Sequence, residues 1–147
     1  MQSIEDHVHH CYWDNDTNCA RTMLMYLSTY FEIPLQSQTM HAAIGMHGAG
    51  GFRAQCGLVE GALMFLGIFF AQKGLTDEVI SKLSYSYAEQ FKEEFSSLEC
   101  RVLRPTGFQK TDPPHACEGL TVKAIAFTRD FIELSKEAVA YANTLTD

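Results

Sequence analysis

Between positions 19 and 31 the apolar residues Ala20, Met23, Leu24, Leu27, Tyr30 and Phe31 recur every three or four places. That is the period of a helix with one buried face. The preceding Asp14, Asn15, Asp16, Thr17 and Asn18 are capping types, and Pro34 closes the segment. A second, shorter helix is predicted over residues 37–46, with Met40, Ala43 and Ile44 inward. Gly48, Ala49, Gly50 and Gly51 then demand a turn. A third helix starts near residues 53–56 and reaches about Gln72, apolar on nearly all sides, as befits a central element.

Gly74 ends it, and Thr76, Asp77 and Glu78 open a fourth helix with a cap and early acidic residues. Val79, Leu83, Tyr87, Phe91 and Phe95 follow at spacings of four, carrying this helix to about Leu98. Residues 99–118, with Pro105, Gly107, Pro113 and Pro114, are predicted as a loop. A fifth helix over residues 120–144 presents Val122, Ile125, Ala126, Phe131, Ile132, Leu134, Val139 and Tyr141. No strand alternation or internal repeat is visible. The pattern predicts an all-α, single-domain bundle of about five helices, residues 1–16 forming an N-terminal arm.

Composition narrows the function classes. A chain of 147 residues with 46% hydrophobic residues can build one apolar core. The formal charge of -7, without any block of basic residues, excludes a nucleic-acid surface from the expectation. The longest apolar run, residues 61–71, is far short of the ~20 residues a membrane span needs. The acidic N-terminus lacks a secretory pattern, so the cytoplasm is the expected location. Apolar surface on the third and fifth helices leaves a homodimer open.

Five cysteines, an odd number, argue against a purely structural disulfide framework. Cys19 starts the first predicted helix, Cys56 the third; Cys100 follows the fourth and Cys117 precedes the fifth. If the helices alternate up and down, all four thiols meet at one pole. Helix N-termini favour anions, so three of these sulfurs are expected to have lowered pKa values, with Cys56 the attacking thiolate of any relay. Four thiolates also meet the ligand demand of a two-iron iron–sulfur cluster or of tetrahedral zinc. The bland alternative is a non-catalytic interaction or accessory module whose cysteines pack or bind structural zinc. None of the spacings matches a zinc ribbon or a C-x-x-C pair. Whether the chain is an enzyme stays open, and its redox partner is unknown.

Other candidates carry less. His115, two residues before Cys117, is placed to tune a thiol or ligate a metal. His7, His9, His10 and Cys11 have metal-ligating types, although such a terminal segment is more commonly a solvated arm. His41 and His47 read as ordinary packed or surface histidines. Arg53 could support a thiolate at Cys56. Glu60, inside an apolar helix, requires a partner. Gly57 and Gly61 permit close helix approach, and the methionines read as core filler.

The run Gly50-Gly51-Phe52-Arg53-Ala54-Gln55-Cys56-Gly57-Leu58-Val59-Glu60-Gly61, with Asn18-Cys19-Ala20, Cys100 and Cys117, resembles the C_GCAxxG_C_C family of redox-active proteins. The resemblance covers about residues 17–135 and leaves the N-terminal arm outside. It implies a redox role for Cys19, Cys56, Cys100 and Cys117. Related modules are similar to the N-terminal part of split-Soret cytochromes, for which a four-cysteine iron–sulfur site is implied. Leu58 stands where the motif has alanine, and no Cys-x-x-Cys-His for covalent haem is present.

Overall fold

The computed structural model describes residues 1–104, 110–112 and 114–146. Pro105, Gly107 and Pro113 of the predicted loop lie outside the described residues. The chain is an all-α bundle. Its elements are α1 (Ile4–His9), a π-helical turn (His10–Asp14), α2 (Cys19–Tyr30), α3 (Ser37–Ala42) and α4 (Gly48–Gly51). Then come α5 (Gly57–Gln72), α6 (Asp77–Phe95), α7 (Cys100–Leu103) and α8 (Glu118–Thr146). The five expected helices are α2, α3, α5, α6 and α8. The additions are the N-terminal helix and its π turn, and two single-turn pieces, α4 and α7, too short to show a period of their own.

Local chemistry sets the boundaries. Asn18 Oδ1 accepts from the Arg21 N–H at 2.9 Å, and its amide donates to Ala43 O and Ile44 O at 3.0 and 2.9 Å. One side chain thus caps α2 and ties down the end of α3. Thr76 caps α6 through the Val79 N–H, and Ser96 ends that helix in the left-handed region at φ 79°.

Helix α5 is the central element, packed against α2, α6 and α8. Its Leu58, Val59, Ala62, Phe65, Leu66, Phe69 and Phe70 are buried, so its apolar surface is largely consumed within the chain. Leu24 and Leu27 of α2, Tyr87 and Phe91 of α6, and Ile125 and Ile132 of α8 complete the core. Ile44, expected inward, points outward instead, and two apolar residues of the last helix are exposed as well. Ile44 is 54% exposed because α3 stops at Ala42, and Leu134 and Tyr141 are each 67% exposed on the outer side of α8.

The N-terminal segment is no solvated arm. Ile4, Val8, Cys11 and Tyr12 are buried, and α1 packs on α8 and α2. Glu118 clips it from outside, accepting from Trp13 Nε1 at 3.1 Å and pairing with His9 Nδ1 at 2.9 Å. Buried Tyr87 ties α6 to α8. Thr128 Oγ1 donates to Ala124 O, so the Tyr87 hydroxyl donates to Thr128 Oγ1 at 2.7 Å. Tyr87→Phe is expected to cost about 1–2 kcal/mol, read as a lower urea midpoint at unchanged slope.

Candidate functional site

The four long helices bring the cysteines to one end. Cys19 is the first residue of α2, Cys56 is the N-cap of α5, and Cys100 opens α7. Cys117 precedes α8, its carbonyl accepting from the Thr121 N–H at 2.8 Å and the Thr121 hydroxyl at 2.9 Å. An isolated antiparallel bridge between Gln55 and Glu99 stitches two of these segments together. Through it Cys56 N–H donates to Leu98 O at 2.8 Å and Cys100 N–H to Ala54 O at 2.7 Å. The thiols lie close enough that Cys56, Cys100 and Cys117 each disfavour a negative charge on Cys19. All five cysteines are free thiols.

Two glycines make room for two of the sulfurs. A side-chain carbon on Gly57 would collide with Cys19 Sγ and Met46 O. One on Gly48 would stand 3.3 Å from both Cβ and Sγ of Cys100. Gly48 also holds φ 71° in a turn where Ala49, Gly50, Gly51 and Arg53 are left-handed too. Positive φ suits glycine, and strain at Ala49 and Arg53 persists because the surrounding hydrogen bonds fix the turn. Arg53 N–H and Ala54 N–H both donate to Gly48 O, at 2.8 and 3.2 Å.

The electrostatics overturn the expectation of lowered pKa values. Burial pushes Cys19 up to about 12, with repulsion from Cys56 and Cys100 adding to it. Burial likewise pushes Cys56 up to about 11, although the Leu58 and Val59 N–H groups at the start of α5 pull the other way. Helix-end stabilisation is real but smaller than the cost of a thiolate out of water. Cys56 therefore lacks the low pKa on which its choice as attacking thiolate rested. Cys100 and Cys117 are also raised by burial, but cations oppose it: Arg104, Arg53 and Arg101 at Cys100, and Arg104 at Cys117. Arg53 thus supports Cys100, the thiol across the bridge.

The remaining candidates fall into place around this pole. Glu60 finds His47, while burial raises its pKa. His41 is exposed. His115, at φ 57°, stacks on Tyr12 at 5.3 Å and meets the edge of Trp13 at 4.9 Å. His7 and Cys11 form a separate pair, Nε2 to Sγ 3.6 Å, with Cys11 only 1% exposed and His7 Nε2 2.9 Å from Thr22 O. His10 pairs with Asp14 at 2.8 Å. Among the described residues no three His, Cys, Asp or Glu side chains form a group able to hold a single metal ion.

Sequence reasoning missed Tyr12. Its buried hydroxyl is pushed well up, first by burial and then by Cys19, with Cys117 and Cys56 adding. Thr121 Oγ1 donates to Cys117 O, so the Tyr12 hydroxyl donates to Thr121 Oγ1 at 2.7 Å. The signal was present, for Ile4, Val8 and Tyr12 are spaced by four. Beside Tyr12 a groove of about 540 Å³ opens onto Cys19 and Cys117.

Across residues 17–131 the chain matches the family model described as "Putative redox-active protein (C_GCAxxG_C_C)". The chain belongs to this family. No curated protein and no solved structure matches it. The family's cysteine order is the one that folds to this pole, and the segment before residue 17 supplies Tyr12 to it from outside the matched region.

Proposed function

We propose that this member of the C_GCAxxG_C_C family is an electron-transfer protein whose Cys19, Cys56, Cys100 and Cys117 hold an iron–sulfur cluster. The observation that carries this reading is the meeting of four thiols from four separate elements at one pole, with Gly48 and Gly57 cleared against two of the sulfurs. The donor set tests the fit. A lone tetrahedral zinc needs four donors around one point, and no three stand so among the described residues. A polynuclear cluster spreads its thiolates over several irons and suits a wider cage.

When bound, such a cluster takes up and releases single electrons. The chain's own part is to give up four thiol protons and keep the resulting charge from water. The buried Tyr12 and Tyr87 stand beside the thiols, and Arg53, Arg101 and Arg104 offset negative charge at Cys100. Removing protons held as tightly as those of Cys19 and Cys56 makes loading pH-dependent, weaker as pH falls.

A second reading rests on Arg104, which favours the thiolate of both Cys100 and Cys117, themselves near enough to repel as anions. These two would close into a disulfide, passing two electrons and two protons to an external disulfide that leaves as two thiols.

Anaerobic purification followed by iron, zinc and sulfide analysis and a visible spectrum separates the readings. Iron with sulfide and visible absorption is expected. Serine at position 19, 56, 100 or 117 should abolish it, while Cys11→Ser should retain it. Iron-free protein that loses two thiols on oxidation, unless Cys100 or Cys117 is replaced, would favour the relay. Zinc alone, or inert thiols, would sink both and leave a structural module.

A further inference from the structure

The groove beside the cysteine pole differs in charge from the rest of this acidic chain. It is lined by Arg21, Arg104, His47 and His115, with Cys19 and Cys117 within the same wall. Asp16 is the one carboxylate among its described lining residues. The start of α2, a helix of 12 residues, and residues 115–117 just before α8 line it, and a helix N-terminus favours negative charge. Tyr12 and Ile44 add an apolar side. A volume of about 540 Å³ lies in the range of small-molecule sites.

The two arginines are not equivalent. Arg104 is engaged with Asp112, Nε to Oδ2 at 3.4 Å. Arg21 Nε is buried and has no hydrogen-bond partner among the described residues. A desolvated guanidinium donor without an acceptor is costly, and buried polar groups in native proteins are nearly always satisfied. A planar fork of this kind matches a carboxylate or a phosphate.

We infer that this groove binds a small organic oxyanion, a carboxylate- or phosphate-bearing molecule held by Arg21, whose far end reaches Cys19 and Cys117. The inference deepens the redox reading by naming the class of small molecule that meets the thiols. Binding itself requires no bound cluster.

Trp13 is the only tryptophan of the chain and stands edge-on to His115 of the groove, so its fluorescence reports occupancy. Metal-free protein is titrated with inorganic phosphate and with citrate at fixed ionic strength, with glucose as the uncharged control. A saturable change with an anion and none with glucose is expected, and the tighter of the two anions identifies the head group. Arg21→Gln should weaken binding about tenfold and Arg21→Lys less, while Lys82→Gln, a cation on the outer face of α6, should change nothing. The anion should also slow alkylation of Cys117 in the unaltered protein, a readout that stands even if an Arg21 variant fails to fold. Equal affinity in a folded Arg21→Gln, equal loss in Lys82→Gln, or an unprotected Cys117 would overturn the assignment. Because the titration uses metal-free protein, absence of iron would count against the cluster and leave this result untouched.

Discussion

Replacing Gly61 by alanine is expected to lower the unfolding free energy by about 2 kcal/mol or more, against the helix-propensity gain of ~1 kcal/mol that alanine brings. The new Cβ would stand 2.5 Å from Ala20 O, 2.9 Å from Ala20 Cα and 3.1 Å from Ala20 C. All three are backbone atoms of α2, so no side chain can swing aside. Relief requires α2 to back away from α5, and α2 carries the fully buried Met23, Leu24 and Leu27. Gly57→Ala should be worse, since its Cβ meets Cys19 Sγ and Met46 O and comes within 3.2 Å of His47 Cα. Gly67 is the internal control. It lies in the same helix with nothing within 4 Å of an added Cβ, so Gly67→Ala should stabilise by roughly 0.5–1 kcal/mol. Urea unfolding of the three variants decides it, and a Gly61→Ala midpoint equal to that of Gly67→Ala would remove the close α2–α5 contact from the account.

The helices that make this contact were legible in the sequence. The long helices declare themselves by period, caps and breakers: Asn18 and Thr76 cap α2 and α6, and Gly74 closes α5 at φ 86°. Their alternation is enough to gather Cys19, Cys56, Cys100 and Cys117, because the short α3 and α4 return the chain to the pole. The pieces that went unread are those without room for a period. Helix α7 holds four residues and starts directly after the Gln55–Glu99 bridge, a pairing between distant segments that carries no local period. The N-terminal segment was readable, since Ile4, Val8 and Tyr12 share a face, but its three histidines drew attention to metal chemistry. They serve as structural clips, His7 to Thr22 O, His9 to Glu118 and His10 to Asp14. The thiol chemistry was misjudged for a different reason. Sequence position reveals a helix N-terminus but not depth, and depth decides the charge state here.

Alkali should therefore unravel the metal-free protein well before it would harm a bundle with exposed cysteines. A thiol whose folded pKa is raised binds its proton more tightly folded than unfolded. Its stabilising share is full below the ordinary value of 9.0 and is lost as pH climbs toward the folded value. For Cys56, buried and pushed up to about 11, the shift of two units corresponds to about 3 kcal/mol lost between pH 9 and 11. Cys19, pushed up to about 12, extends the loss to higher pH, and the buried hydroxyls of Tyr12 and Tyr87 add to it above pH 10. The expected result is a urea midpoint that falls steeply above pH 9 in the parent and less steeply in Cys56→Ala. The same proton affinity leaves only about one Cys56 in a thousand ionised at pH 8, so alkylation should strike Cys100 and Cys117 first. Prompt labelling of Cys56 at pH 8, or a midpoint flat to pH 11, would mean that the pole is open to water. The buried pair would then be free to act as the attacking thiolates that their helix positions alone suggested.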